Sequence, residues 1–256
     1  MTRPAPLPFL DHPRPIAFAH RGGALEGEEN TLPAFAHAVA LGYTHVELDV
    51  HATTDGQVVI HHDDTLQRMT GDPRAIGSLD AATLARVRTP GGAAIPPLAA
   101  LLEEHPALFV NIEVKADAAI DPLIALIRRM GVLDRICVGS FNPSRVARLR
   151  AALGAGLCWS PAHLGAGRLV LAGWGLPVGR LAYPVVQVPV SFHGIPVVTR
   201  RFVRAAHARG IQVQVWTVDD RAQMERLLDM GVDGLMTDRP SLLRQVLTER
   251  NAWRGG

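Results

Sequence analysis

Lysine is almost missing from this chain: of its 26 lysine and arginine residues, only Lys115 is a lysine. Cysteine is scarce too. Cys137 and Cys158 sit in the apolar runs RICVGS and GLCW, which suits small buried thiols, and two cysteines build no disulfide framework. A formal charge of +2, with no basic run interleaved with aromatics, argues against a nucleic-acid partner. No stretch reaches the ~18 uninterrupted apolar residues of a membrane span. The N-terminal MTRPAPLPFLDHPRP is broken by prolines and lacks the apolar centre of a signal peptide. The expectation is a soluble, cytoplasmic protein with no stable membrane insertion.

What is present is enough apolar material for one large core: 256 residues, 48% of them hydrophobic. Short β-branched runs occur at 16–20, 44–50, 108–115, 135–140, 156–159, 185–190, 211–218 and 233–237. Helical patterns such as LPAFAHAVALG and RAQMERLLDMG fill the gaps, each closing on a glycine suited to the position after a helix. Strand and helix alternating eight times predict an α/β fold, a (β/α)8 TIM barrel forming a single domain over 1–256. Residues 51–97 break the alternation with a short strand and glycine turns, so they read as a small insertion after strand 2, on the loop face where barrel sites are built.

Strand alternation then sorts the charges. In VNIEVK, Asn111, Glu113 and Lys115 share one face and Val110, Ile112 and Val114 the other; in HVELDV, Glu47 and Asp49 oppose Val46, Leu48 and Val50. The apolar faces pack under helices, so the charged faces look into the barrel, where unmatched charge is costly. Three carboxylates against one lysine leave an excess of negative charge. That set suits a hard divalent cation, Mg²⁺, Ca²⁺ or Mn²⁺, more than zinc or copper.

The segment FAHRGGALEGEENTLPAF brings His20 and Arg21 to the end of the first strand, beside Glu47 and Asp49. Arg21 offers a planar fork for a phosphate oxygen, and Gly22 and Gly23 would let backbone N–H groups approach it. Asn30 or Thr31 caps the following helix, with Pro33 in its first turn and Glu28 and Glu29 compensating its dipole. In VVIHHDD, His61 and His62 face opposite sides, so one of them reaches the mouth. His51 and His193 read as loop positions on that same face, and His163 as a turn residue. Trp216, Phe192 and His193 are the aromatic candidates for a substrate pocket, Trp216 first because it ends a strand.

The ordered set AHRGG, ENTLPAF, VELDV with TTDGQVVIHHDDTLQRMTG, IPPL, VNIEVK, SFNP, VWTV and GVDGLMTDRP resembles the glycerophosphodiester phosphodiesterases over nearly the whole chain. The resemblance implies a β/α barrel, a divalent cation, and hydrolysis of a small-molecule glycerophosphodiester to an alcohol and glycerol 3-phosphate. It implies His20 and His62 as the catalytic pair, Glu47, Asp49 and Glu113 as metal ligands, and Arg21 and Lys115 as phosphate contacts. The family's common Pro-Glu-Asn-Thr appears here as Glu28-Glu29-Asn30-Thr31, without the proline. Within that superfamily a lysophospholipase D-like activity is the alternative, and a non-catalytic phosphodiester-binding barrel is another.

Overall fold

The computed structural model describes residues 7–254. Its strands are β1 (Ile16–His20), β2 (His45–Ala52), β3 (Val58–Ile60), β4 (Phe109–Val114), β5 (Ile136–Gly139), β6 (Cys158–Trp159), β7 (Val185–Pro189), β8 (Ser191–Phe192), β9 (Ile195–Pro196), β10 (Gln212–Trp216) and β11 (Gly234–Thr237). Its helices are α1 (Leu32–Ala40), α2 (Gln67–Thr70), α3 (Ala81–Leu84), α4 (Leu98–Glu104), α5 (Ile120–Met130), α6 (Pro143–Leu153), α7 (His163–Gly173), α8 (Arg200–His207), α9 (Arg221–Met230) and α10 (Pro240–Glu249).

Eight parallel strands run in the order β6-β5-β4-β2-β1-β11-β10-β7, a nearly closed barrel of the TIM type. Between the two end strands, β6 and β7, the seam is bridged by a side chain: the Gln187 N–H donates to Ser160 Oγ at 2.9 Å. The alternation expected for β2 and β4 is the one observed. Val46, Leu48, Val50, Val110, Ile112 and Val114 are buried among Phe35 of α1, Leu98 and Leu101 of α4 and Leu123 and Ile127 of α5. A second cluster packs β7, β10 and β11 under α8, α9 and α10. Burying each such side chain contributes roughly 1.5–3 kcal/mol relative to exposure, which is why the outward faces tolerate no charge.

The opposite end of the barrel is plugged by Phe9, which lies with Phe18, Cys137, Cys158, Val185 and Met236. Both cysteines are free and buried. The 51–97 segment forms a small lobe: β3 pairs antiparallel with the end of β2, and Val59, Leu66, Ile76, Leu79, Leu84 and Ile95 make a core of their own. His51 belongs to this pairing. It is a buried residue within β2 opposite Val59, not the loop residue expected, because β2 continues past the barrel wall to meet β3. Among the described residues, no helix is long and apolar enough to cross a membrane.

Candidate active site

His20 is the last residue of β1, in register with Glu47 on β2. Its Nδ1 lies 2.6 Å from Asp238 Oδ1, and because a carboxylate only accepts, the proton sits on Nδ1. That leaves Nε2 turned toward Glu47, 3.5 Å from Oε2. Burial pulls the imidazole's pKa down, but the Glu47 and Asp238 carboxylates outweigh it and raise it to about 9. Asp238 is itself fixed by Asp219, which accepts from the Asp238 N–H at 2.7 Å and from the Thr237 hydroxyl at 2.9 Å. No sequence pattern pointed to Asp238, since 218 positions separate it from His20.

After His20 the backbone turns through left-handed conformations at Arg21 (φ 52°), Gly22 (φ 83°) and Gly23 (φ 107°). The glycines serve packing rather than anion binding. Their N–H groups donate to the carbonyls of Ala19 and His20, and a Cβ on Gly22 would meet Ala34 Cβ at 2.8 Å. Arg21 points its guanidinium at Asp49 (Nε to Oδ2, 3.2 Å) and at Glu29 (Nη1 to Oε1, 3.1 Å). Thr31 is the cap of α1, accepting from the Ala34 N–H. Asn30 does something else: at φ 58° its buried Nδ2 donates to Asp49 Oδ2 at 3.0 Å. Neither Glu28 nor Glu29 compensates the helix dipole, since the first turn of α1 holds no acid. Glu28 accepts from Thr89 Oγ1 and the Gly91 N–H, tying the insertion to the barrel, and Glu29 accepts from Arg21 and Arg68.

The insertion supplies the second histidine. His62 Nδ1 donates to Asp63 Oδ1 at 2.6 Å, and Arg68 Nε donates to the other oxygen of that carboxylate at 2.6 Å. Its neighbour His61 is buried, its Nε2 3.2 Å from the Thr65 carbonyl inside the lobe. Burial works against the charge on Asp63, but Arg68 and His62 prevail and hold its pKa at about 2.

Between the histidines, one oxygen from each of Glu47, Asp49 and Glu113 lies within 4.8 Å of the others. Burial pushes the Glu47 carboxyl above the usual carboxylate range, opposed by His20 and reinforced by repulsion from Asp49 and Glu113. Glu47 Oε2 is buried and without a hydrogen-bond partner. Crowded all-oxygen donors with an orphaned carboxylate oxygen fit a hard divalent cation, whose charge would reverse the upward shift. Lys115 Nζ stands beside the group, 3.5 Å from Asp49 Oδ1 and 3.4 Å from Glu113 Oε1.

These groups line a cavity of about 240 Å³, which includes His20, Arg21, Glu47, His62, Glu113 and Trp216. Lys115 stands at its edge rather than in its lining. The far wall is aromatic. Trp216 meets Phe141 edge-on at 5.9 Å, Phe141 lies 5.1 Å from His163, and His163 lies 5.6 Å from Phe192. His163 is therefore a wall residue at the start of α7, not an inert turn residue. His193, at φ 48° between β8 and β9, packs on Phe192 outside the cavity lining.

A parallel barrel carrying two carboxylate-held histidines around an acidic cluster has the layout of a barrel hydrolase. Residues 20–242 match the glycerophosphoryl diester phosphodiesterase family, and the chain belongs to that family. It is 39% identical to a probable glycerophosphodiester phosphodiesterase 2 of Mycobacterium tuberculosis, covering 96% of each chain. It is 31% identical to a glycerophosphodiester phosphodiesterase of Caldanaerobacter subterraneus, over 89% of this chain and 96% of the relative. Among solved structures, the fold matches a phosphodiesterase of Oleispira antarctica in complex with sn-glycerol-3-phosphate, with a TM-score of 0.74 at 24% identity over 92% and 97% of the two chains.

Proposed function

We propose that this enzyme hydrolyses glycerophosphodiesters to an alcohol and glycerol 3-phosphate, with His20 and His62 moving the protons. The observation that carries this reading is the matched pair of Nδ1–carboxylate contacts, each 2.6 Å, to Asp238 and to Asp63. Each fixes its ring through Nδ1 and leaves Nε2 for the substrate.

Breaking the diester needs a nucleophile, a stabilised phosphoryl group and a protonated leaving oxygen. The substrate's own glycerol hydroxyl, adjacent to the esterified carbon, supplies the nucleophile. One histidine takes its proton as the P–O bond forms, and the other gives a proton to the departing alcohol. The cyclic phosphate so formed is opened by water with the two roles exchanged. Arg21 and Lys115 contact the phosphoryl oxygens and Trp216 contacts the substrate. Glu47, Asp49 and Glu113 would hold the divalent cation, which supplies Lewis-acid polarisation of a phosphoryl oxygen when bound.

Turnover of glycerophosphoglycerol is the test. His20→Ala and His62→Ala should each lower kcat by roughly 10² to 10⁴-fold, with His61→Ala far milder. An analogue lacking the neighbouring hydroxyl should bind and hardly turn over. Comparable kcat for analogue and natural substrate would sink the cyclic route, and wild-type turnover by either histidine variant would sink the acid–base assignment.

A further inference from the structure

Charge is unevenly divided along this chain. Residues 135–218 hold ten arginines and no aspartate or glutamate, so all 24 acids lie elsewhere. That span supplies β5, β6, β7 and β10, which stand side by side around the barrel once the seam is counted, together with α6, α7 and α8. On α6, Arg145 and Arg148 are matched by Asp117 and Asp121. On α7, on α8 and just after it, the exposed Arg168, Arg201, Arg204 and Arg209 have no carboxylate oxygen within 4 Å among the described residues.

The apolar side chains of the same region are also out of place. A helix that is apolar all round is normally covered on every side. α7 carries a single charged residue, Arg168, yet it packs on the barrel through Leu169 and Ala172 and turns a second apolar face to solvent. That outward face runs Leu164, Arg168, Leu171 at i, i+4 and i+7, with Leu164 81% and Leu171 46% exposed. The helix closes in a Schellman turn. With Gly175 at φ 79°, its N–H reaches the Ala172 carbonyl at 3.0 Å and the Leu176 N–H reaches the Leu171 carbonyl at 3.1 Å. The turn brings Leu176 (50% exposed) to Leu171 and leaves Trp174 (68% exposed) beside them, with the Arg201 guanidinium 4.7 Å from the ring centre. Arg201, Arg204 and Arg209 then line an open groove of about 390 Å³ along Ala172, Gly173 and Gly175, with no acid in its lining.

Exposed apolar side chains gathered in one patch mark a surface that is covered in use. The arginines decide by what. A second copy docking through the same face would set Arg201 and Arg204 against their own kind, which like-charge repulsion opposes. A nucleic acid would need a free aromatic face for stacking, whereas the Trp174 ring is already covered by Arg201 and the leucines would gain no partner. A bilayer with anionic headgroups meets both demands. Leucine and tryptophan reach the acyl boundary, while arginine stems lie along the apolar surface and their guanidiniums stay among the phosphates.

We propose that the α7–α8 face docks this protein peripherally on bilayers bearing anionic phospholipids. Leu164, Leu171, Trp174 and Leu176 enter the interface, and the groove of Arg201, Arg204 and Arg209 takes an anionic headgroup. α7 starts at His163 in the cavity wall and its 11 residues span roughly 16 Å, so docking holds the barrel mouth about one helix length from the lipid. The docking residues lie outside the cavity lining, and the proposal goes beyond the phosphodiesterase reading without resting on it.

The test is sedimentation of the full chain with vesicles of phosphatidylcholine alone or with about 30% phosphatidylglycerol. Partitioning should be at least tenfold stronger on the phosphatidylglycerol vesicles and should fall at least tenfold between about 0.05 and 0.3 M salt. Both are read on the wild-type protein, so they decide the matter even where a variant misfolds. Arg201→Ser/Arg204→Ser and, separately, Leu171→Ser/Trp174→Ser should each weaken partitioning about tenfold and leave glycerophosphoglycerol turnover within about twofold. Trp174→Phe should still bind but lose most of the fluorescence quenching that brominated acyl chains cause in the wild type. Equal binding to both vesicles, or unchanged binding by both double variants, overturns the proposal. Release from vesicles by inorganic phosphate, well beyond that by chloride at equal ionic strength, would make the groove a site for free phosphate and overturn it too. So would a DNA duplex bound as tightly and lost in the arginine variant, or a wild-type dimer that Leu171→Ser/Trp174→Ser turns into monomers. Docking by a protein that hydrolyses no glycerophosphodiester would remove the activity proposed above and leave this inference standing.

Discussion

Asn30 occupies a position that two separate demands select. Its backbone sits at φ 58°, where asparagine, aspartate and glycine are the tolerated residues, and its amide must donate to Asp49 Oδ2. Asp49 Oδ1 is then left facing the cluster beside Lys115. Glycine keeps the backbone and loses the donor; aspartate keeps both backbone and size and replaces the donor by an acceptor. Asn30→Gly and Asn30→Asp should both fold and should weaken Mn²⁺ binding about 10- to 100-fold by calorimetry, as loss of an outer partner of a ligand does. Unchanged binding in both would mean that Asp49 needs no holder. Lys115 poses the opposite question, because arginine is this chain's usual cation. Lys115→Arg keeps the charge but puts a longer planar fork within reach of Asp49 and Glu113, so hydrolysis should fall by tenfold or more with an unchanged circular dichroism spectrum. Wild-type activity would make the single lysine an accident of composition.

Arg68 shows what an insertion adds to a barrel. From α2 it grips Glu29 with Nη2 at 2.7 Å and Asp63 with Nε at 2.6 Å, so one guanidinium holds the partner of Arg21 and the partner of His62. None of this was legible in the sequence, where the acids before α1 look like dipole compensation. The strand charges were legible for a physical reason: period-2 alternation is local and puts Glu47, Asp49 and Glu113 on inward faces whatever the rest of the chain does. Glu28 and Asp238 depend on partners far along the chain, and alternation says nothing about those. The same limit hid His163 and Phe141, which become wall residues only when three loops meet. The depressed pKa of Asp63, about 2, makes the latch testable by acid. A carboxylate whose folded pKa lies below its unfolded value near 3.9 adds stability above that value, and the contribution drains away as pH falls through the folded pKa. Between about pH 4 and pH 2 the wild-type protein should lose stability more steeply than Asp63→Asn does, read from urea midpoints. Parallel curves would show that the Asp63–Arg68–Glu29 chain adds nothing to the lobe's stability.

At the scale of the whole barrel, closure rests on a weak point. β6 has two residues and reaches β5 by its ladder, but meets β7 through Ser160, whose buried hydroxyl accepts the Gln187 N–H. Gln187 is also the centre of the barrel's inner polar layer, donating to Asn111 Oδ1 at 2.8 Å and Gln214 Oε1 at 2.9 Å. Both Ser160 and Gln187 line the cavity, so the seam and the site share their atoms. Removing the hydroxyl leaves an inward N–H without a partner, at a cost of roughly 1–3 kcal/mol. Ser160→Ala should therefore lower stability by that amount in urea unfolding and speed hydrogen exchange at the Gln187 amide, while Ser160→Thr, which keeps the acceptor, should restore protection. Exchange at the Gln212 amide, which donates to the Pro184 carbonyl at 3.0 Å on the β10 side of β7, should change little. If Ser160→Ala left both the urea midpoint and the Gln187 amide unaffected, the barrel would be closing by packing alone, and the side-chain bridge would be incidental.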